Sequence, residues 1–390
     1  MRRTRRVVQL GFVALTLLGV YAFAGHAERW CPFGGVEAAY NYFREGNLIC
    51  SLGVSNFYIL AAVVVMTLLL RRAFCGYACP IGALSEWLQS GARRLGLRPR
   101  TVPYGLDRAL ALLKYVVLAV ILYYTWTIGE LVFRGYDPCY ALISRHGTDI
   151  TPWAYVIAGA IGAASLLVIM PFCRWLCPLA AVLSPFSRVA LARVKREPGT
   201  CLDCGACRRA CPMGIRVDRV TDVNAARCIG CLECVSACPP KAGGALAWGP
   251  PRRFGRRWPQ GVLVGVVLAC VGGAIAATYA LPLPSVVVTR GALPERTAQI
   301  SVRIAGVNCR HSALGFADHI GAAEPALAEF CRVEVWPAPA GSTVRITYDP
   351  AKTDEAGIRA AITEPYFDRA AGRWLLSPYK IEGYSPLADE

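Results

Sequence analysis

Cys201-Leu-Asp-Cys204-Gly-Ala-Cys207-Arg-Arg-Ala-Cys211-Pro212 is repeated, at an offset of 27 residues, by Cys228-Ile-Gly-Cys231-Leu-Glu-Cys234-Val-Ser-Ala-Cys238-Pro239. Both runs have the spacing C-x2-C-x2-C-x3-C-P. A [4Fe–4S] cube needs a thiolate at each corner. In this register three come from one tight loop, and the fourth, set off by three residues and a proline, serves the other cube. The spacing therefore assigns Cys201, Cys204, Cys207 and Cys238 to one cube, and Cys228, Cys231, Cys234 and Cys211 to a second. Zinc would use four cysteines in two CxxC pairs, and a disulfide framework has no need of this register. Neither accounts for eight cysteines repeated in step. The chemistry implied is electron transfer.

Around these runs the chain is that of a membrane protein. It has 390 residues, 55% of them hydrophobic, and a mean hydropathy of +0.40. Five apolar stretches are long enough to cross a bilayer: 7–24, 52–70, 109–133, 153–172 and 261–281. Lys114 and Glu130 lie near the ends of the third, where long side chains can snorkel to the headgroups. Basic residues alternate between the connections. Arg2, Arg3, Arg5 and Arg6 precede the first stretch, residues 71–108 hold seven Arg and residues 173–258 hold fifteen Lys or Arg, while 25–51 and 134–152 hold two each. This bias predicts a cytoplasmic N-terminus and iron–sulfur insert, and an outer-face C-terminal tail. The net charge of +16 is then a topology signal. Its arginines flank spans instead of lining one soluble face, which argues against a nucleic-acid partner. The Arg-rich start also suits a signal peptide, although its apolar run is longer than most h-regions.

Ten further cysteines remain. Cys75-Gly-Tyr-Ala-Cys79-Pro80 ends the second stretch and Cys173-Arg-Trp-Leu-Cys177-Pro178 ends the fourth, both at the cytoplasmic edge. Three intervening residues put two thiols on one face of a helical turn, so the four could share a metal, a cluster or a dithiol relay. Cys31 follows the first stretch, Cys139 the third, and Cys50 precedes the second. On an oxidising outer face Cys31 and Cys139 read as a disulfide or as a redox-active pair. Cys270, mid-span beside Gly272 and Gly273, reads as packing.

Residues 298–385 alternate in pattern: strand 299–305, helix 312–330, strands 332–336 and 343–348, helix 354–363, strand 374–381. That βαββαβ order predicts an α+β ferredoxin-like domain. The loop Gly306-Val-Asn-Cys309-Arg-His-Ser312 resembles the metal loop of heavy-metal-associated domains, with Ser312 in place of the second cysteine. A lone Cys309 thiolate is a poor copper site unless His311 completes it. Structural use or partner docking is the favoured reading, and His319, like His26 and His146, reads as a surface histidine.

CGYACPIGALSEW (75–87), FCRWLCPLAAVLSPF (172–186) and the doubled cysteine run together resemble the NosR/NapH/CcoG group of membrane-bound polyferredoxins. CPFGGVE (31–37) and DPCYALIS (137–144) fit the same group. The resemblance covers about residues 1–280. It implies a bacterial inner-membrane protein that passes electrons between the quinone pool or a cytoplasmic donor and an outer-face partner. It also implies a redox role for Cys75, Cys79, Cys173 and Cys177. The first span begins at residue 7, so the flavin-binding region that precedes the spans of NosR is not expected. The fold class is thus an α-helical membrane bundle of about five spans with a bacterial-type 2[4Fe-4S] ferredoxin insert and a C-terminal α+β domain. The domains are 1–196, 197–250, 251–284 and 285–390. The cofactors are two [4Fe-4S] clusters, with a further metal or cluster considered at the CxxxCP cysteines. No Walker loop, Rossmann fingerprint or nucleophile–base constellation marks a substrate site. Two other readings stand beside electron relay: a metal reductase or assembly factor for copper or iron delivery, and a redox-sensing regulator.

Overall fold

The computed structural model describes residues 2–22, 30–45, 52–97, 100, 102–128, 131, 133–143, 150–242, 244–250, 258–307, 310–336, 342–368 and 372–384. Cys50, Cys309, His26, His146 and Glu130 lie outside them. The chain divides into two compact units, Met1–Glu37 with Ser55–Ala277, and Ala38–Val54 with Thr278–Glu390.

The first unit is built on a duplication. Its first half runs α1 (Arg2–Leu17), the start of α2 (Pro32–Glu45, which crosses into the second unit after Glu37), α3 (Ser55–Leu70), α4 (Ala73–Tyr77) and α5 (Pro80–Arg94). Its second half runs α6 (Tyr104–Leu110), α7 (Leu113–Ile128), α8 (Pro138–Ile143), α9 (Pro152–Leu167), a π-helical turn over Phe172–Leu176, and α10 (Pro178–Arg188). The same punctuation recurs in both halves. The apolar helices α3 and α9, 16 residues each, stop just before a non-glycine residue held in the left-handed region, Arg71 at φ 65° and Met170 at φ 50°. A turn carrying Cys75 or Cys173 follows. Cys79 and Cys177 then take the N-cap position, with a proline at N1 to open the next helix. The halves exchange partners: α5 packs on α9 and α10 on α3, while α1 meets α5 and α7 meets α10. Ser85 and Ser165 fasten α5 to α9 through a 2.9 Å hydroxyl contact.

Among the described residues three helices are long and apolar enough to cross a membrane, Arg3–Ala22, Tyr104–Ile128 and Gln260–Ala280. The other two stretches expected to span are the shorter helices Ser55–Leu70 and Pro152–Leu167, cut off by the backbone reversals at Arg71 and Met170.

The iron–sulfur insert is closed at its base by β1 (Arg193–Arg196) and β2 (Leu246–Gly249), paired antiparallel from Arg193↔Gly249 to Arg196↔Leu246. Between them lie the short helices α11 (Ala206–Ala210) and α12 (Glu233–Ser236). α13 (Gln260–Ala280) follows. The insert shares one apolar core with the bundle, in which Leu70, Cys75, Met170 and Cys173 pack with Met213, Ile229, Leu232 and Val267.

In the second unit β3 (Val286–Arg290), β4 (Ala298–Ile304), β5 (Cys331–Trp336) and β6 (Ser342–Tyr348) form an antiparallel sheet in the order β3-β5-β6-β4. α14 (Arg310–Ala323), α15 (Pro325–Glu329) and α16 (Glu355–Thr363) complete it. The first three expected strands form, with β6 pairing antiparallel to both β4 and β5. The fourth does not form. Residues 373–375 instead pair with 366–368 as the hairpin β7 (Tyr366–Asp368) and β8 (Arg373–Leu375), and only one bridge, Ile304↔Ile381, remains beside β4. The edge beside β5 is taken by β3, whose Val-Val-Val run was hidden behind the end of the last span.

Candidate functional site

The two cysteine runs wrap two separate cavities. One is lined by Cys201, Cys204, Cys207 and Cys238, with Arg196, Asp203 and Asp218. The other is lined by Cys211, Cys228, Cys231 and Cys234, with Met213, Ile215, Val217 and Leu232. Each cavity thus takes three cysteines from one run and one from the other, the division given by the spacing. The backbone repeats as well. Asp203 and Gly205 in the first run, and Gly230 and Leu232 at the same offset in the second, all have positive φ. That conformation lets successive N–H groups line an anion-holding concavity, and at Leu232 it is held although a side chain there is strained. Ile215 N donates to Cys211 Sγ at 3.4 Å. Among the described residues no three His, Cys, Asp or Glu side chains converge as they would on a single ion. Four cysteines around each cavity give the four thiolates that a [4Fe–4S] cube would need.

The two cavities differ in depth. Each has one buried cysteine, Cys207 and Cys234, but only the first has an exposed one, Cys204. Burial pushes the Cys211 thiol up to about 11 and Cys231 to about 12, despite Arg5 opposing the latter. Loading such a cavity therefore releases protons.

The deeper cavity sits directly on the first CxxxCP turn. A Cβ at Gly76 would lie 2.8 Å from Ile229 O, one at Gly230 would lie 2.9 Å from Leu70 O, and Arg72 N donates to Cys228 O at 3.3 Å. α1 clamps the junction: Arg5 donates to Gly76 O at 3.0 Å and to Glu233 at 3.1 Å, and also pairs with Glu86. On the other side buried Asp107 accepts from Arg174 at 2.6 Å, from Trp175 Nε1 at 2.8 Å and from Arg227. One carboxylate thereby ties the neighbour of Cys173 to the neighbour of Cys228.

The four CxxxCP thiols lie within electrostatic range of one another. Cys75 and Cys173 are buried, and Cys173 is in electrostatic contact with Cys177, Cys79 and Cys75. Backbone N–H groups of Ile81 and Gly82 point at the Cys79 sulfur, and that of Ala180 at Cys177. Lys114, expected to snorkel, is instead 6% exposed and faces Cys177, because its helix packs on the π-helical turn and α10.

Cys139 and Cys31, expected on the outer face, lie close to each other and to Asp137 and Glu37 in electrostatic terms. Cys139 is in electrostatic contact with Cys177, Cys79 and Cys31. Phe33 shares an apolar cluster with Cys177, and Asn56 Nδ2 donates to Cys31 O at 2.8 Å. Both thiols are free. Two carboxylates missed by the sequence reading accompany them, Glu37 and Asp137. Burial and Asp137 push Glu37 up to about 8.

In the C-terminal unit His319 is buried, not on the surface, because β7 and Tyr379 close over it with rings 4.6 and 5.1 Å away. Cys331 is buried and free at the start of β5.

The arrangement defines a membrane-bound protein that holds iron–sulfur clusters. Comparison with known proteins agrees. The model of a 4Fe-4S binding domain matches twice, at residues 52–98 and 150–197, once in each half of the duplication. The model of a 4Fe-4S dicluster domain matches residues 193–239. YccM of Escherichia coli, named for electron transport, is 28% identical over 276 residues, 67% of this chain and 76% of its own length. MJ0750 of Methanocaldococcus jannaschii is 34% identical over 232 residues, 59% of this chain and 92% of its own. The regulatory protein NosR of Pseudomonas aeruginosa is 31% identical over 257 residues, which is 61% of this chain but 35% of NosR. Proteins named NirI, FixG and NapH also align. The chain belongs to the NosR/NapH-like membrane polyferredoxins, and its role is iron–sulfur electron transfer. No solved structure matches it.

Proposed function

We propose that the protein relays electrons between a cytoplasmic donor, or the quinone pool, and a redox partner at the outer face of the inner membrane. The observation that carries this reading is the seating of the Cys228–Cys231 loop on the Cys75 turn, with backbone atoms in contact. A carrier in the exposed cavity is open to a soluble donor, a carrier in the deeper one abuts the membrane thiols, and the thiols continue through Cys139 towards Cys31.

Cys201, Cys204, Cys207 and Cys238 would hold one [4Fe–4S] cube, and Cys211, Cys228, Cys231 and Cys234 the other. When bound, the cubes supply one-electron carriers whose potentials follow burial and hydrogen bonds to sulfur. The chain contributes the rest: left-handed loops that aim N–H groups inward, Arg5 and Asp107 that fix the insert to the bundle, and an apolar wall that excludes water from the deeper site.

For topology we favour five spans with a cytoplasmic N-terminus and insert, residues 251–284 as the last crossing, and 285–390 outside. The alternation of basic connections supports this. At 1.5 Å per residue α3 and α9 reach only about 24 Å of the ~30 Å hydrocarbon layer, so their crossings would include the cysteine turns. The C-terminal unit then docks the outer partner.

The test is anaerobic purification with iron and sulfide analysis and EPR of the reduced protein. Cys204→Ser should remove one ferredoxin-type signal and Cys231→Ser the other. If both variants kept both signals, the ligand assignment would be wrong.

A further inference from the structure

Four arginines and two glutamates, Arg5, Arg6, Arg93, Arg209, Glu86 and Glu233, line a cavity of about 110 Å³ where α1, α5 and the iron–sulfur insert meet. Both acids are neutralised from within. Buried Arg5 pairs with Glu86 and, at 3.1 Å, with Glu233, and Gln9 Nε2 also donates to Glu86 at 3.1 Å. The other three arginines are exposed, and among the described residues none of them meets a carboxylate. Arg93 donates instead to Gln89 Oε1 at 3.2 Å. That contact fixes the amide of Gln89, which is 3% exposed and lines the same cavity. Among the described residues its Nε2 has no hydrogen-bond partner. Ser90 turns its own proton back to Glu86 O at 2.9 Å. The groups left without a partner are all donors, and all but one are cationic.

Three guanidinium groups around one cavity repel one another, and a buried amide N–H without an acceptor keeps its desolvation cost. One anion offsets both. A guanidinium presents a planar fork of donors that matches the oxygens of a phosphate. Size and lining narrow the class further. The volume is well below the ~300 Å³ at which sites for drug-sized ligands begin. Among the described residues no aromatic side chain lines it, so a flavin or quinone ring has neither room nor a stacking partner. A phosphate group has both room and donors. Depth bears on its source. Arg5 and Arg6 stand in the first two turns of Arg3–Ala22, a helix long and apolar enough to cross a membrane, and Ile169, just past α9, adds an apolar wall. The cavity is therefore at the level of lipid headgroups, where basic pockets beside membrane helices take anionic lipids.

We propose that this cavity binds the phosphate group of an anionic phospholipid through Arg6, Arg93 and Arg209, with the Gln89 amide as a further donor. The bound anion joins α1, α5 and α11, so it holds the insert against the bundle, as Arg5 and Asp107 do elsewhere on the seam. Ala210 and Pro212, which flank Cys211, form part of its wall. Lipid is thereby bound next to the deeper iron–sulfur cavity. The site stands whether or not electrons pass through the chain, because no cysteine takes part in recognising the anion.

The experiment uses the full chain, purified anaerobically in a neutral detergent and titrated at constant ionic strength. The probes are soluble dihexanoyl phosphatidylglycerol, its phosphatidylcholine counterpart and inorganic phosphate, and hydrogen exchange of residues 86–93 and 206–212 reads occupancy. Phosphatidylglycerol should slow exchange in both segments saturably. Arg93→Gln and Arg209→Gln should each weaken that binding about tenfold, the loss of one hydrogen bond to a charged group. The two arginines are exposed and lie on different elements, so one variant stays informative if the other fails to fold. Arg94→Gln, an exposed neighbour that does not line the cavity, should change nothing. Slowing by phosphatidylglycerol without inorganic phosphate identifies lipid as the source. Slowing by both supports recognition of the phosphate group itself, and slowing by inorganic phosphate alone overturns the lipid. No saturable slowing by any probe overturns the site. So does equal weakening by Arg94→Gln, which would mark diffuse attraction, or a phosphatidylcholine response equal to that of phosphatidylglycerol.

Discussion

The ferredoxin insert and the thiol core of the bundle bring their cysteines together in opposite ways. In the insert all eight cysteines fall within Cys201–Cys238, and local spacing alone divides them into two sets. In the bundle four cysteines come from turns about a hundred residues apart, joined only because α5 packs on α9 and α10 on α3. The insert carries its ligands on short loops with left-handed residues. The bundle carries them at helix N-caps, beside buried cations. A site encoded in one stretch can be read from one stretch; a site encoded in an exchange of helices needs the helices.

The largest effect should come from the wall the two regions share. Asp107→Ala leaves Arg174 and Arg227 without their carboxylate, and removing one partner of a buried ion pair costs about 3 kcal/mol or more. The expected outcome is release of the insert from the bundle while both cubes persist. Limited proteolysis between residues 190 and 260, with EPR of the same sample, checks it. If both regions were loosened equally, the comparison would fail, because the insert would then have no stability of its own.

A second test separates close packing from strain. Gly230 has φ +61° and its Cβ would meet Leu70 O at 2.9 Å. Gly82 has an ordinary backbone, but its Cβ would meet Cys75 O at 2.5 Å. Gly230→Ala combines a left-handed penalty of about 1 kcal/mol with a backbone clash, and should raise hydrogen exchange in residues 228–234 several-fold. Gly82→Ala should act on the Cys75 turn alone. Gly91→Ala, on the same helix with open space around it, should change neither.

How much was legible follows the same division. The two cysteine quartets, the apolar stretches and the first three strands of the C-terminal sheet could be read because each is a local pattern of period or spacing. Lys114 could not: a lysine near the end of an apolar run looks like a snorkelling one until the turn carrying Cys173 and Cys177 is packed against it. The left-handed backbone at Arg71 and Met170 was equally hidden, since neither residue is a glycine, although Pro171 does mark a break after Met170. β3 was masked by its place just after a span, and the strand expected at 374–381 was lost to a local hairpin that offers residues 366–368 a nearer partner.

The smallest effect asks whether the C-terminal unit follows the insert or the bundle. His319 lies 42 residues before Ala361 and 58 before Ser377 in a region read as simple alternation, so its burial, like that of Lys114, comes from tertiary packing. Ser377 gives its proton to Ile362 O, so its oxygen accepts from His319 Nε2 at 3.0 Å. Burial lowers the His319 pKa below its usual value of 6.5, against the opposing pull of the Ala361 and Ile362 backbone. The unfolded chain then binds the proton more readily than the folded one. Stability of this unit is therefore full above the unfolded pKa and falls as pH drops through 6.5 towards the folded value. Thermal unfolding of the full chain at pH 7.5 and 5.5, followed by exchange at the α14 amides, should show this loss. His319→Phe should flatten it. A profile that keeps its slope in the variant would show that the pH response belongs to other groups and that His319 is ordinary packing.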